Sequence, residues 1–159
     1  DMRALLSELQ DELRTAYPGR KVELEMSADY RVQGDFRELY SAVSNLVLNA
    51  IKYSEEEDVV KVSWRQQDGS YYLTVMDQGP GIDPVHIPRL TERFYRVEDS
   101  RSSATGGTGL GLAIVKHVAA SHGARLQIES KLGEGSAFSL VFPDQGVVAA
   151  DQRVDASVA

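Results

Sequence analysis

The chain has 159 residues, 42% of them hydrophobic, no cysteine and a formal net charge of -7. That is enough apolar content for one compact domain, and the lack of cysteine excludes disulfide frameworks and thiolate metal centres. The acidic balance argues against nonspecific binding of nucleic acid or an anionic membrane, while leaving room for a local anion site. No apolar run is long enough to span a bilayer, no signal peptide is visible, and the chain enters a helical pattern at once, as a piece of a longer protein would.

Apolar residues at Leu5, Leu6, Leu9, Leu13 and Ala16 predict a helix over Met2 to Ala16, ended by Pro18 and Gly19. KVELEM alternates through Val22, Leu24 and Met26, and Tyr30 with Val32 marks a second short strand. Asp35 to Ser54 follows, the helix around which the rest is organised. Asp35 is its expected N-cap, and Leu39, Val43, Leu46, Val47, Ala50 and Ile51 form its apolar stripe. Beside that stripe run Ser41, Asn45, Asn49 and Lys52, three or four apart and so on one face. Two asparagines in mid-helix cost stability unless their amides have something to bind. A solvated polar face is the plainer reading of the stripe.

Glu55 to Asp58 is a charged turn. VVKVSW and SYYLTVMD then alternate as two strands about an Asp68-Gly69 hairpin turn. The second runs directly into Asp77, Gln78, Gly79, Pro80 and Gly81. A carboxylate there can accept a hydrogen bond from the amino group of adenine, whereas guanine would oppose it with an oxygen. An ordinary Asp-Gly turn is the alternative. Asp83 and Pro84 predict a short helix through about Leu90.

Thr91 to Thr108 has no sustained period and is expected to be a mobile loop. Gly106 to Gly111 leads into a helix over Gly109 to Ser121 that is apolar nearly all round and so expected to be buried. Glycines before a helix N-terminus free N–H groups for phosphate oxygens, or serve only as a hinge. No Gly-Lys-Ser/Thr follows, so this is not a Walker loop. ARLQIES and SAFSLVF complete the strands, with a disordered tail expected over 146–159. The order predicts an α+β fold: a two-layer α/β sandwich whose mixed sheet carries its helices mostly on one face.

The combination resembles a known family. An Asn-xxx-Asn-Ala-xx-Tyr-Ser helix, Asp-x-Gly-x-Gly-Ile, Glu-Arg-Phe-Tyr-Arg, Gly-x-Gly-Leu-Gly-Leu and Gly-x-Gly-Ser-x-Phe occur in the order and spacing of the catalytic, ATP-binding domain of sensor histidine kinases. The resemblance covers nearly all of residues 1–143. HIPRLTERFYRVEDSRS and GGTGLGLAIVKHV are most similar to the phosphate-regulon branch of that family. It implies the ATP-binding sandwich (Bergerat fold) shared with gyrase, Hsp90 and MutL. It also implies a domain comprising residues 1–145, ATP and Mg2+ as ligands, and Asn49 as the protein's metal ligand. Asn45, Asn49, Lys52 and Arg96 would be the catalytic set, with Arg96 pairing the γ-phosphate. Tyr53 would pack on the base or ribose and Asp77 would read adenine. Gly107, Gly109 and Gly111 would line the triphosphate, with Gly79, Gly81, Ile82, Thr108, Leu110, Leu112 and Ser136 also around the nucleotide. Phe94 and Tyr95 would belong to the lid, Phe94 as a possible anchor in the core.

The implied partners are the dimerisation and phosphoacceptor domain of the same sensor kinase and a response regulator, with no nucleic acid and no direct membrane contact. The implied setting is the cytoplasmic part of an inner-membrane-anchored kinase. Asp11-Glu12-Leu13-Arg14-Thr15-Ala16 looks like the phosphoacceptor motif but has Asp11 at the histidine position, so it is a decoy. His86, His117 and His122 lack that context, the last two being expected at the surface of their helix. The rivals are an ATPase clamp, against which Asn45 in place of a glutamate argues, an anti-sigma-type serine kinase, and a non-enzymatic nucleotide sensor.

Overall fold

A computed structural model of the chain describes residues 1–27, 30–95, 111–144 and 147–149. Helix α1 spans Met2–Ala16 and α2 spans Phe36–Lys52. Both begin at capping aspartates: the Asp1 carboxylate accepts from the Ala4 N–H at 3.1 Å, and that of Asp35 from the Glu38 N–H at 3.0 Å. Strands β1 (Lys21–Met26) and β2 (Tyr30–Val32) lie between them. Strands β3 (Val59–Gln67) and β4 (Ser70–Asp77) form the expected hairpin, with Asp68 and Gly69 at φ of 52° and 75°, a turn with positive φ at both central residues. Helix α3 (Gly111–Ser121) and strands β5 (Arg125–Lys131), β6 (Gly135–Pro143) and β7 (Val147–Ala149) follow.

The main sheet has the order β1-β3-β4-β6-β5. Strand β1 is parallel to β3, placing Leu24 beside Val62, because α2 lies in the connection between them. The other pairings are antiparallel, and β6 enters between β4 and β5. One face of the sheet is apolar (Val60, Val62, Trp64, Leu73, Val75, Phe138 and Leu140), buried in one core with the stripes of α1 and α2 and with Val115 and Val118 of α3. Each such side chain contributes about 2 kcal/mol by leaving water. The opposite face carries exposed Lys61 and Met76 in adjacent positions. This is the expected two-layer sandwich.

Four expectations change in detail. The segment from Asp83 to Leu90 is a run of turns ending in a three-residue 3-10 helix, Ile87–Arg89. Pro88 has no N–H to continue an α-helical ladder, and the bonds are i to i+3, as from His86 N–H to the Asp83 carbonyl at 2.9 Å. Helix α3 is less buried than expected, Ile114 being 42% exposed. The stretch 146–159 contains β7, antiparallel to β2 with Val32 opposite Val147; residues 150–159 lie outside the described residues. His122 is not at the surface: its side chain is 5% exposed. Its Nδ1–H donates to the Val118 carbonyl at 2.8 Å and its Nε2 accepts from the Asp35 N–H at 3.0 Å, pinning the end of α3 to the start of α2. Gly34 leaves room for the ring, because a Cβ there would lie 2.2 Å from His122 Cδ2.

Candidate functional site

Strand β4 ends at Asp77, which is 7% exposed. Register sets it opposite Ser136 of β6. Its Oδ1 accepts from the Gly79 N–H at 2.9 Å, the self-bonded turn that an Asp-x-Gly sequence favours. Burial pushes the carboxyl up from the ordinary aspartate range. The N–H groups of Gly79 and Ser136 pull it partly back, and the charge of Asp58 adds to the rise. A second oxygen facing a donor such as an exocyclic amine would relieve that cost.

The turn after Asp77 is wedged between two parts of the chain. A Cβ on Gly79 would lie 2.2 Å from the Tyr53 carbonyl oxygen, so the turn rests on the C-terminal end of α2. Gly81, at φ 76°, sits against the Lys131 carbonyl with 2.3 Å to a hypothetical Cβ. The carboxylate and the amide-bearing helix therefore share one end of the molecule.

On α2, Asn45 donates its amide nitrogen to the Ser41 carbonyl at 2.8 Å. Its Oδ1 is turned toward the start of α3, 3.1 Å from where a Cβ on Gly111 would be. Asn49, one turn on, is half-buried and makes no side-chain hydrogen bond among the described residues. Lys52 lies with its Nζ 5.4 Å from the centre of the Tyr53 ring. Ser54 behind them is buried, and Arg20 donates to both its carbonyl and its hydroxyl. Leu112 packs on the core from the first turn of α3, as does Ile82 from the turn after Gly81.

Phe94 is not an anchor in the core. It is 70% exposed and has φ 67°, a region disfavoured for a bulky residue. Tyr95 bonds His86 Nδ1 through its hydroxyl and carries Arg89 over its ring at 4.6 Å. Arg96, Gly107, Thr108, Gly109 and Leu110 lie outside the described residues. The Asp11 to Ala16 decoy lies within α1 with Leu13 buried in the core.

Two features were missed from sequence. Gly135 has φ 117°, and a Cβ there would fall 2.2 Å from the Asp77 carbonyl; its glycine box was the available signal. Ser130 joins three groups at once through its hydroxyl, and no sequence signal pointed to it. A cavity of about 270 Å³ between α1 and β1 lies away from this site.

A strand-end carboxylate, an amide-bearing helix and the start of α3 thus lie together in a two-layer α+β sandwich. The family model that matches residues 34–146 is described as histidine kinase-, DNA gyrase B- and HSP90-like ATPase, and the chain belongs to that family. Within it, the chain is a catalytic ATP-binding domain of the histidine kinase type. It is 45% identical over 152 residues to the phosphate regulon sensor protein PhoR of Pseudomonas aeruginosa, covering 94% of this chain and 34% of the relative. Against the sensor-like histidine kinase SenX3 of Mycolicibacterium smegmatis it is 42% identical over 146 residues, 91% of this chain and 38% of the relative. The chain thus spans about a third of the length of these relatives. Among solved structures, a mycobacterial sensor histidine kinase, MprB, superposes with a TM-score of 0.78 at 33% identity, covering 90% of this chain and 94% of that one. Full-length ShkA in complex with AMPPNP matches with a TM-score of 0.78 at 28% identity, over 96% of this chain and 32% of that one.

Proposed function

We propose that this domain holds Mg-ATP and donates its γ-phosphoryl group to a histidine on a separate dimerisation domain of a phosphate-regulon-type sensor kinase, from which a response regulator is then served. The observation that carries this reading is the pair of close approaches, Gly79 to the Tyr53 carbonyl and Gly111 to the Asn45 amide, which gather the carboxylate, the stripe and the start of α3. Asp77 accepts from the adenine amine. Tyr53, Gly79, Gly81, Ile82, Leu112 and Ser136 surround the nucleoside, while Lys52 and the glycines leading into α3 take the phosphates, and Thr108, Leu110, Phe94, Tyr95 and Arg96 complete the proposed binding set.

Magnesium fits the donor set. Asn49 offers a half-buried amide with no hydrogen bond among the described residues, and an amide oxygen with phosphates and waters suits a small hard cation. When bound, the ion neutralises phosphate charge. The acceptor imidazole nitrogen attacks the γ-phosphorus, the bond to the β–γ bridging oxygen breaks, ADP leaves, and the imidazole proton passes to solvent. No base is needed to activate water, which agrees with an amide rather than a carboxylate at position 45. Among the described residues no helix is long and apolar enough to cross a membrane. The proposed setting is the cytoplasmic side of an anchored kinase.

The test is transfer of radiolabel from ATP to a supplied dimerisation domain. Labelled histidine, lost in Asn49→Ala with the fold intact, is the expected result. Release of free phosphate instead would favour a clamp ATPase, and label on a partner's serine an anti-sigma-type kinase.

A further inference from the structure

The hydroxyl of Ser130, on the edge strand β5, occupies a position that the nucleotide reading leaves unused. It accepts from the Ile82 N–H at 2.7 Å, lies 3.2 Å from the Gly135 carbonyl and 2.8 Å from the Ser136 hydroxyl. One arrangement of protons satisfies all three contacts. The Ile82 N–H and the Ser136 O–H donate to Ser130 Oγ, and Ser130 donates its own proton to Gly135, filling its one donor and two acceptor places. These partners are not scattered. Ile82 ends the turn that begins at Asp77, Ser136 is the register partner of Asp77, and Gly135 packs against the Asp77 carbonyl. The turn has a second attachment to the same hairpin, the Gly133 N–H donating to the Pro80 carbonyl at 2.8 Å.

We infer that Ser130 is a positioning residue for base selection: its hydroxyl ties the Asp77 turn to the β5–β6 hairpin and so fixes the direction in which the Asp77 carboxylate faces the nucleobase. The inference rests on the reading of Asp77 as the group that selects adenine. Without the hydroxyl, the Ile82 N–H loses its acceptor and the far end of the turn keeps its bond from the Gly133 N–H to the Pro80 carbonyl, while Gln78 stays bonded to the Val59 N–H of β3. Discrimination then suffers more than phosphate binding, because the phosphates are held from α2 and α3, on the other side of the site.

The experiment is calorimetric titration of the wild-type domain, Ser130→Ala and Ser130→Thr with ATP and with GTP, beside thermal melts without nucleotide and amide hydrogen exchange at Ile82. The wild type is expected to prefer ATP. Ser130→Ala should lose roughly tenfold in ATP affinity with little change for GTP, and its Ile82 amide should exchange roughly tenfold faster. Ser130→Thr, which restores a hydroxyl on a residue suited to a strand, should recover both. A wild type that binds ATP and GTP alike overturns the reading of Asp77 and the inference with it. A wild type that prefers ATP, with Ser130→Ala folded and its preference unchanged, overturns the inference alone. A loss of ATP affinity that Thr does not recover also counts against it.

Discussion

The two walls of the site are made differently. The wall around Asp77 is backbone: a strand end, a turn and a hairpin in mutual contact, with Gly79, Gly81 and Gly135 each too close to a carbonyl to admit a Cβ. The wall on α2 is side chain: Asn45, Asn49 and Lys52 project, half-buried, from a regular helix. On the proposed reading of Asp77, selectivity for a base needs a fixed donor-acceptor pattern, which a rigid strand end and turn would supply before any ligand arrives. Holding a metal-bound polyphosphate needs groups that can close on it. The first wall should fail abruptly when altered, the second by degrees.

Gly79→Ala should have the largest effect. Its methyl would meet main chain rather than a flexible side-chain tip, so the turn or the end of α2 must shift. We expect a loss of about 3 kcal/mol, or about 10 °C in melting temperature, together with loss of measurable ATP binding. A normal melt with intact binding would remove the distinction between the walls.

Next comes Asp77→Asn, which keeps the shape and the bond from Gly79 but discards the charge. ATP affinity relative to GTP should fall roughly a hundredfold by competition titration. The same substitution should raise the stability of the nucleotide-free domain. The folded chain holds the Asp77 proton more tightly than the unfolded chain does, so ionised Asp77 costs stability at neutral pH, and the cost is relieved as pH falls through the raised value toward the ordinary aspartate range. ATP affinity should move the opposite way over that interval, falling as the carboxylate is protonated, and Asp77→Asn should flatten both profiles. Melts and titrations across the acid range would show it.

Asn49→Ala should be milder, weakening Mg-ATP roughly tenfold while leaving metal-free ATP and the melting temperature nearly unchanged. An equal loss with and without magnesium would place Asn49 on the nucleotide rather than the metal. His122→Ala lies outside both walls. It leaves the Asp35 N–H without its acceptor and should cost about 2 kcal/mol with nucleotide affinity unaltered. Weakened binding in that variant would show that the start of α2 is coupled to its far end.

What the sequence disclosed follows the same division. The bounds of α1 and α2, the Asp68-Gly69 hairpin and the place of Asp77 at a strand end were all readable, because periodicity, caps and turn chemistry act between near neighbours. Contacts between distant segments were not readable. Ser130 meets Ile82 forty-eight residues away, and His122 meets Asp35 eighty-seven away. Insertion of β6 between β4 and β5 likewise has no local signature. Pro84 read as the start of a helix, but Pro88 four residues later denied it a second turn. Phe94, read from the resemblance as a lid residue with a core anchor as the alternative, is not in the core: its φ is 67° and its ring is exposed.

The β2–β7 ribbon joins strands of three residues each from segments more than a hundred residues apart, and it stands outside the main sheet. So short a two-stranded pairing is marginal by itself, and closing so long a loop adds to its entropic cost. It should therefore be the first part of the molecule to open on warming and the last to form during folding. A protease would find its earliest cut beyond Pro143 while the five-stranded sheet was still whole.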